Sequence, residues 1–248
     1  LSEKLSYIDI HIFADWHVGD SLCKEELIKQ RINTVKNDPN SYCIINGDVL
    51  NWATRHSVSD IYAEKLTPTK QVDTLTELLA PIKDKILYMT KGNHENRSYR
   101  SDGIDVLYLA AKDLRITDRY SGEGSVLFVR LGKNNKNRKI LYTIYVQHGA
   151  GGGRKEGAKI IRLADMATVV NTDIYIHSRT HLPAIMGIDR FEVNPENSIV
   201  LRKEMLFVNS GATLKYGGYA QANGYKPASL RSPVIHLSGT KKHFTATL

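Results

Sequence analysis

The chain has 248 residues, with 34 Lys and Arg against 26 Asp and Glu, and a formal charge of +8. Its 42% hydrophobic and 24% charged content excludes a disordered or collagen-like polymer and is enough for a packed core. The positive balance suits a polyanionic partner such as nucleic acid without identifying one. Two cysteines, Cys23 and Cys43, form no CxxC pair and are too few for a disulfide framework, so a reducing, cytoplasmic setting is expected. No basic and then apolar leader opens the sequence and no apolar run reaches a span's length, so neither secretion nor membrane insertion is expected. A single domain over 1–248, β-rich after about residue 183, is expected from length and the lack of a linker.

The first strand-like run is Tyr7–Phe13, followed by Ile28, Ile32 and Val35 at the spacing of an apolar helix stripe. Tyr42–Asn46 reads as the second strand, and Val72, Leu75, Leu79 and Ile82 as the next stripe, which Pro81 should end because proline lacks an amide proton for the helical ladder. Ile86–Thr90 is a third strand and Ile104–Leu114 a third helix. Val126–Leu131 and Ile140–Gln147 flank the basic stretch Lys133 to Lys139, which reads as an exposed hairpin tip, solvated or gripping nucleic acid. A helix over Lys159–Val170 and a strand over Asp173–Ile176 follow. The remaining runs, Ala184–Ile188, Ile199–Arg202, Met205–Val208, Val234–Leu237 and His243–Thr247, read as a β-meander. Strands alternating with helices predict an α/β fold.

Loops just past strand ends are where such folds collect functional groups. The first strand ends in Asp15-Trp16-His17, the second in Asn46-Gly47-Asp48-Val49-Leu50-Asn51 and the third in Gly92-Asn93-His94-Glu95. Later strands run into His148-Gly149 and into His177-Ser178-Arg179-Thr180-His181. Each loop alone is weak, since Asp caps turns and His fills space. Five strand-end loops carrying Asp, Asn and His together imply a metal centre, and mixed oxygen and imidazole donors favour Mn, Fe or Zn over calcium.

In that order, D-x-H, G-D-x-x-N, G-N-H-E, H-G and a final x-H, the set resembles the calcineurin-like metallophosphoesterase superfamily over about residues 9 to 211. The resemblance implies a four-layered α/β/β/α sandwich and a phosphoesterase with two divalent ions, manganese first among them, with Fe, Zn or Mg as alternatives. It implies Asp15, His17, Asp48 and His181 at the first ion, with Asp48 bridging and Asn93 and His148 at the second. It gives His94 the role of touching the phosphate and protonating the leaving oxygen, with Glu95 orienting it. Two ions of this kind can activate a water and clamp phosphate oxygens for in-line attack. Asn51 is expected to support its loop or to approach substrate.

One position departs from the family pattern. Where the last loop usually reads G-H-x-H, this chain has Ser178-Arg179-Thr180-His181. A guanidinium offers donors only and stays charged, so Arg179 cannot ligate a cation. Three explanations are open: a His-to-Arg change, engineered or spontaneous, that cripples the site; a natural one-metal site in which Arg179 clamps phosphate; or a binding protein that has lost catalysis. His177 could swing in as a ligand but reads as the polar end of its strand, and His11, His56, His236 and His243 read as core, surface or substrate-facing groups. Gly149-Ala150-Gly151-Gly152-Gly153-Arg154-Lys155 lacks the phosphate-loop pattern; its glycines are read as a flexible loop, with Arg154 or Lys155 approaching substrate. Tyr216, Tyr219 and Tyr225 read as packing residues or as base-stacking groups. The functions that follow are a phosphodiesterase or nuclease acting on nucleic acid or nucleotides, a phosphomonoesterase, or a silent nucleotide or nucleic-acid binder.

Overall fold

The computed structural model of the chain describes residues 1–55, 57, 59–151 and 153–248. His56 and Gly152 of the sequence reading therefore lie outside the described residues. Two sheets lie face to face with helices on their outer sides. One sheet has the order β11-β10-β1-β2-β3-β4, from Phe244–Thr247, Val234–Ser238, Tyr7–Phe13, Ser41–Asn46, Ile86–Thr90 and Tyr120–Ser121. The other has β5-β6-β7-β9-β8, from Ser125–Leu131, Ile140–Val146, Ile174–His177, Ile199–Asn209 and Ala184–Asn194.

The two-residue period of a strand sends alternate side chains to opposite faces, and three buried clusters result. Ile8, Ile10, Ile12 and Ile44 meet Tyr142, Ile144, Val146, Ile174, Ile176 and Val208 between the sheets. Phe13, Cys43 and Ile45 face the other way, onto Ile28, Ile32 and Val35 of α1 (Glu25–Asn37), Leu75 and Leu79 of α2 (Pro68–Leu79), and Leu107 and Ala110 of α4 (Val106–Asp113). On the far side Tyr145, Tyr175 and Phe207 pack with Leu163 of α5 (Glu156–Asp165) and Met166. Three cores between four layers give the α/β/β/α sandwich that the family resemblance implied.

The structure corrects several boundaries. The helix ended by Pro81 stops at Leu79 and continues as a tighter turn over Ala80–Lys85. The segment Glu95–Asp102, unassigned in sequence, is a helix, α3, closed by Gly103 in the left-handed region. The terminal strands are not one meander: β8 and β9 join the second sheet, whereas β10 pairs antiparallel with β1 in the first. Ile199–Arg202 and Met205–Val208 are one strand, and β8 runs on to Asn194. The basic tip is a hairpin between β5 and β6, as expected, but Lys133 and Lys139 are both paired with Glu3. Among the described residues no helix is long and apolar enough to cross a membrane.

Candidate metal centre

The parallel strands β1, β2 and β3 end side by side, and β6 and β7 end beside them from the second sheet. The five loops that follow therefore converge at one edge of the sandwich. Their backbone is strained in a common way: Asp15, His17, Asp48, Arg179 and His181 all have positive φ, between 50° and 66°, a conformation costly for residues with a Cβ. Gly47 and Gly92 let two of the loops touch. A Cβ at Gly92 would collide with the Asp48 carboxylate, and one at Gly47 with the Gly92 backbone.

Each of the two aspartates is hydrogen-bonded through one oxygen and turns the other toward an imidazole, Asp15 Oδ1 toward His181 and Asp48 Oδ2 toward His148, each at 3.2 Å. Asp15 Oδ2 accepts from Ser210 Oγ at 3.2 Å and from the Arg179 amide at 3.3 Å, while Oδ1 has no hydrogen-bond partner. Asp48 Oδ1 accepts the His94 amide at 2.8 Å, while Oδ2 has none. Both nitrogens of buried His17 and Nε2 of buried His148 are likewise without hydrogen bonds. Buried polar atoms are almost always satisfied, and an orphaned set of this composition, with ligand atoms within 4.8 Å of one another in the groups Asp15–His17–His181 and Asp15–Asp48–His148, is a cation's donor set. The residues at the first expected ion thus fit a divalent metal.

The surroundings set the donor state of each ring. His148 Nδ1–H donates to the Asn46 carbonyl at 2.6 Å, which turns Nε2 toward Asp48 Oδ2, 3.2 Å away. Burial would lower the His148 pKa, but the Asp48 carboxylate outweighs it and raises the ring to about 9. Burial would in turn raise Asp48, but His148 and His94 hold that carboxyl well below its usual range. Burial, with His94 alongside, pushes His17 well down, so it is a neutral donor. Asn46, the residue before Gly47-Asp48, carries no sequence signal for its role in orienting His148; its side chain also bonds Ser178 Oγ and the Gln147 carbonyl, tying the two sheets together.

His94 lies against His17, ring centroids 4.3 Å apart. Its Nδ1–H donates to the Asn51 carbonyl at 2.6 Å, and Arg97 Nη2 donates to Nε2 at 3.0 Å. Burial lowers this ring to about 4, so it is neutral near pH 7. Glu95 is not what orients it. The buried Glu95 carboxylate instead accepts the amides of Asp48 at 2.9 Å, Leu50 at 2.9 Å and Gly92 at 2.8 Å, clamping the second and third loops together. Consecutive residues at the start of a helix point about 100° apart, which turns Glu95 inward when His94 faces the centre. Arg97, which sequence reading passed over, does the orienting, itself held by the Asn51 and Trp52 carbonyls.

The remaining candidates divide. Asn51 spends its side-chain amide on Glu64 Oε1 at 2.6 Å, so it supports the loop and does not face substrate. Arg154 stacks over the Tyr225 ring at 5.2 Å, and Lys155 is an exposed residue just before α5. His177 is committed to Asn209 Oδ1 at 2.7 Å rather than to the centre. Arg179 Nη1 bonds Asn93 Oδ1 and lies 3.8 Å from Asp48 Oδ2. Cys43 is buried and Cys23 half-buried, both as free thiols.

A model of the calcineurin-like phosphoesterase family matches residues 8–212. Among solved structures, the chain is similar to a conserved protein of Streptococcus pneumoniae described as a predicted phosphoesterase, at 13% identity over 98% of each chain and a TM-score of 0.40. It is also similar to a metallophosphoesterase from Sphaerobacter thermophilus, at 12% identity over 97% of this chain and 89% of that one, with a TM-score of 0.38. A double mutant of Vps29 from Entamoeba histolytica aligns at 13% identity over 97% of this chain and 100% of the other, with a TM-score of 0.42. Among curated proteins, none matches the sequence.

Proposed function

Because the chain belongs to the calcineurin-like phosphoesterase family, we propose that it is a metal-dependent phosphodiesterase acting on nucleic acid or nucleotides. The observation that carries this reading is the convergence of Asp15 Oδ1, Asp48 Oδ2, His17 and His148 Nε2, all buried and all without hydrogen bonds. Asp15, His17, Asp48 and His181 would hold the first ion, manganese by preference. Bound there, it would supply Lewis acidity toward a phosphoryl oxygen and a lowered pKa for water.

The chain's own residues do the rest. Glu95 fixes the spacing of the Asp48 and Asn93 loops, and Asn46 fixes the tautomer of His148. Arg97 and the Asn51 carbonyl hold the His94 ring in one plane at the edge of the centre. His94 is neutral with its proton on Nδ1 and its Nε2 accepting from Arg97, so to serve as the acid at the leaving oxygen Nε2 must take a proton from solvent and give up the Arg97 hydrogen bond, an exchange that the negative charge of a bound phosphate favours. The formal charge of +8 supports a diester of a polyanion over a small monoester, and the scarcity of cysteine supports a cytoplasmic setting. Arg179 is the one feature that favours a silent binder.

The test is hydrolysis of bis(p-nitrophenyl) phosphate and p-nitrophenyl phosphate with Mn²⁺. A kcat/KM preference of about tenfold or more for the diester is expected. The reverse preference would make the protein a monoesterase, and manganese retained without turnover of either ester would make it a binder.

A further inference from the structure

Of the residues of the second expected ion, Asp48 and His148 still form a metal-sized group with Asp15, but Asn93 is already bonded by a cation. That ion needs Asn93 Oδ1 and the inner oxygen of Asp48, yet both face the Arg179 guanidinium: Nη1 bonds Asn93 Oδ1 and stands 3.8 Å from Asp48 Oδ2. We infer that Arg179 takes the place of the second cation, so that the centre binds one metal ion per chain and the guanidinium is its other positive charge toward the substrate phosphate. This rests on the phosphoesterase reading for the substrate and on geometry alone for the metal count.

Three observations support the assignment. The backbone of Arg179 is anchored on the centre, since its amide donates to Asp15 Oδ2 at 3.3 Å and its φ of 66° belongs to the strained set shared with Asp15, His17, Asp48 and His181. The side chain is 32% accessible against 1% for Asp48, so Arg179 is engaged through Nη1 on Asn93 and Asp48 while part of its side chain remains accessible to an incoming anion. A guanidinium has five donors in a planar fork matched to phosphate oxygens. A dication at the same spot would face a fixed positive charge and would have to expel it, and His148, the other ligand there, points its Nε2 at the Asp48 carboxylate 3.2 Å away. No ligand is gained in exchange, because Arg179 has no lone pair to offer. The contrast with the first set is internal to the molecule: apart from the shared Asp48, its ligands Asp15, His17 and His181 have no Lys or Arg side chain bonded to them among the described residues.

The experiment is metal content by mass spectrometry after Mn²⁺ loading and desalting, on the full chain and on Arg179→His, with folding checked by circular dichroism. One ion per wild-type chain and two in Arg179→His are expected. Two ions in the wild type would overturn the inference and leave the phosphoesterase reading standing, whereas none would overturn both. One ion in both proteins would show that Arg179 is not what excludes the second. At equal metal content, Arg179→Gln should weaken inorganic phosphate as an inhibitor of diester hydrolysis by about tenfold, the loss typical of a charged phosphate contact. Unchanged inhibition would overturn the phosphate-facing half of the proposal.

Discussion

Replacing Glu95 by Ala removes the only partner, among the described residues, of three backbone amides, those of Asp48, Leu50 and Gly92. A buried donor left unpaired costs about 1–3 kcal/mol, so three set a range of roughly 3–9 kcal/mol. Water entering the vacated space recovers part of this. Burial and the Asp48 charge push the Glu95 carboxyl up to about 7, so its removal also relieves a desolvation cost. Both effects place the expected loss near the lower end, about 3 kcal/mol. For a chain of this length that is a fall in Tm of about 6–12 °C. Glu95→Gln keeps one acceptor for Asp48 and Gly92 but turns an NH₂ toward the Leu50 amide, and should lose about 1–2 kcal/mol. The assay is thermal and urea unfolding in a chelator, so that metal binding does not add to stability. A loss below about 0.5 kcal/mol in Glu95→Ala, within the range of an ordinary surface substitution, would refute the clamp. A normal Tm with reduced turnover would restore the role first read from sequence, in which Glu95 orients His94.

Asn46→Ala removes the side-chain bonds to Ser178 and Gln147 that tie the two sheets together; stability by urea unfolding should fall by about 1–3 kcal/mol, and an unchanged midpoint would exclude this support. His11, in β1, has its pKa lowered by burial, so the unfolded chain binds its proton more readily. Its contribution to stability is therefore complete above pH 6.5, the ordinary histidine value, and is lost as pH falls from there through the lower folded value. The urea midpoint should drop less between pH 7.5 and 5.5 in His11→Gln than in the wild type, and equal drops would show that His11 is not a source of the acid sensitivity.

Much of the centre was legible because its chemistry sits where hydrophobic alternation stops. Ile8, Ile10 and Ile12 announce β1, and Asp15 and His17 follow its end; the same holds for Ile44 and Asp48. What escaped notice lacked such a pattern. Helix α3, Glu-Asn-Arg-Ser-Tyr-Arg-Ser-Asp, carries no apolar stripe and is built on the Glu95 clamp and the Gly103 turn. The outer halves of β8 and β9 pair with each other while Phe191, Val193 and Val200 stay exposed, so burial leaves no periodic trace and charges at Asp189 and Lys203 read as strand ends. The roles of Glu95 and Arg97 depend on which way a helix start turns its side chains, and adjacency to His94 in the chain suggested the opposite assignment.

The most direct test of a metal-dependent phosphoesterase is diester hydrolysis by chelator-stripped protein titrated with Mn²⁺, wild type beside Asp48→Asn. Activity that vanishes on stripping, returns with manganese in the wild type and stays absent in the variant is predicted. Hydrolysis that survives the chelator, or an Asp48→Asn variant as active as the wild type, would contradict it.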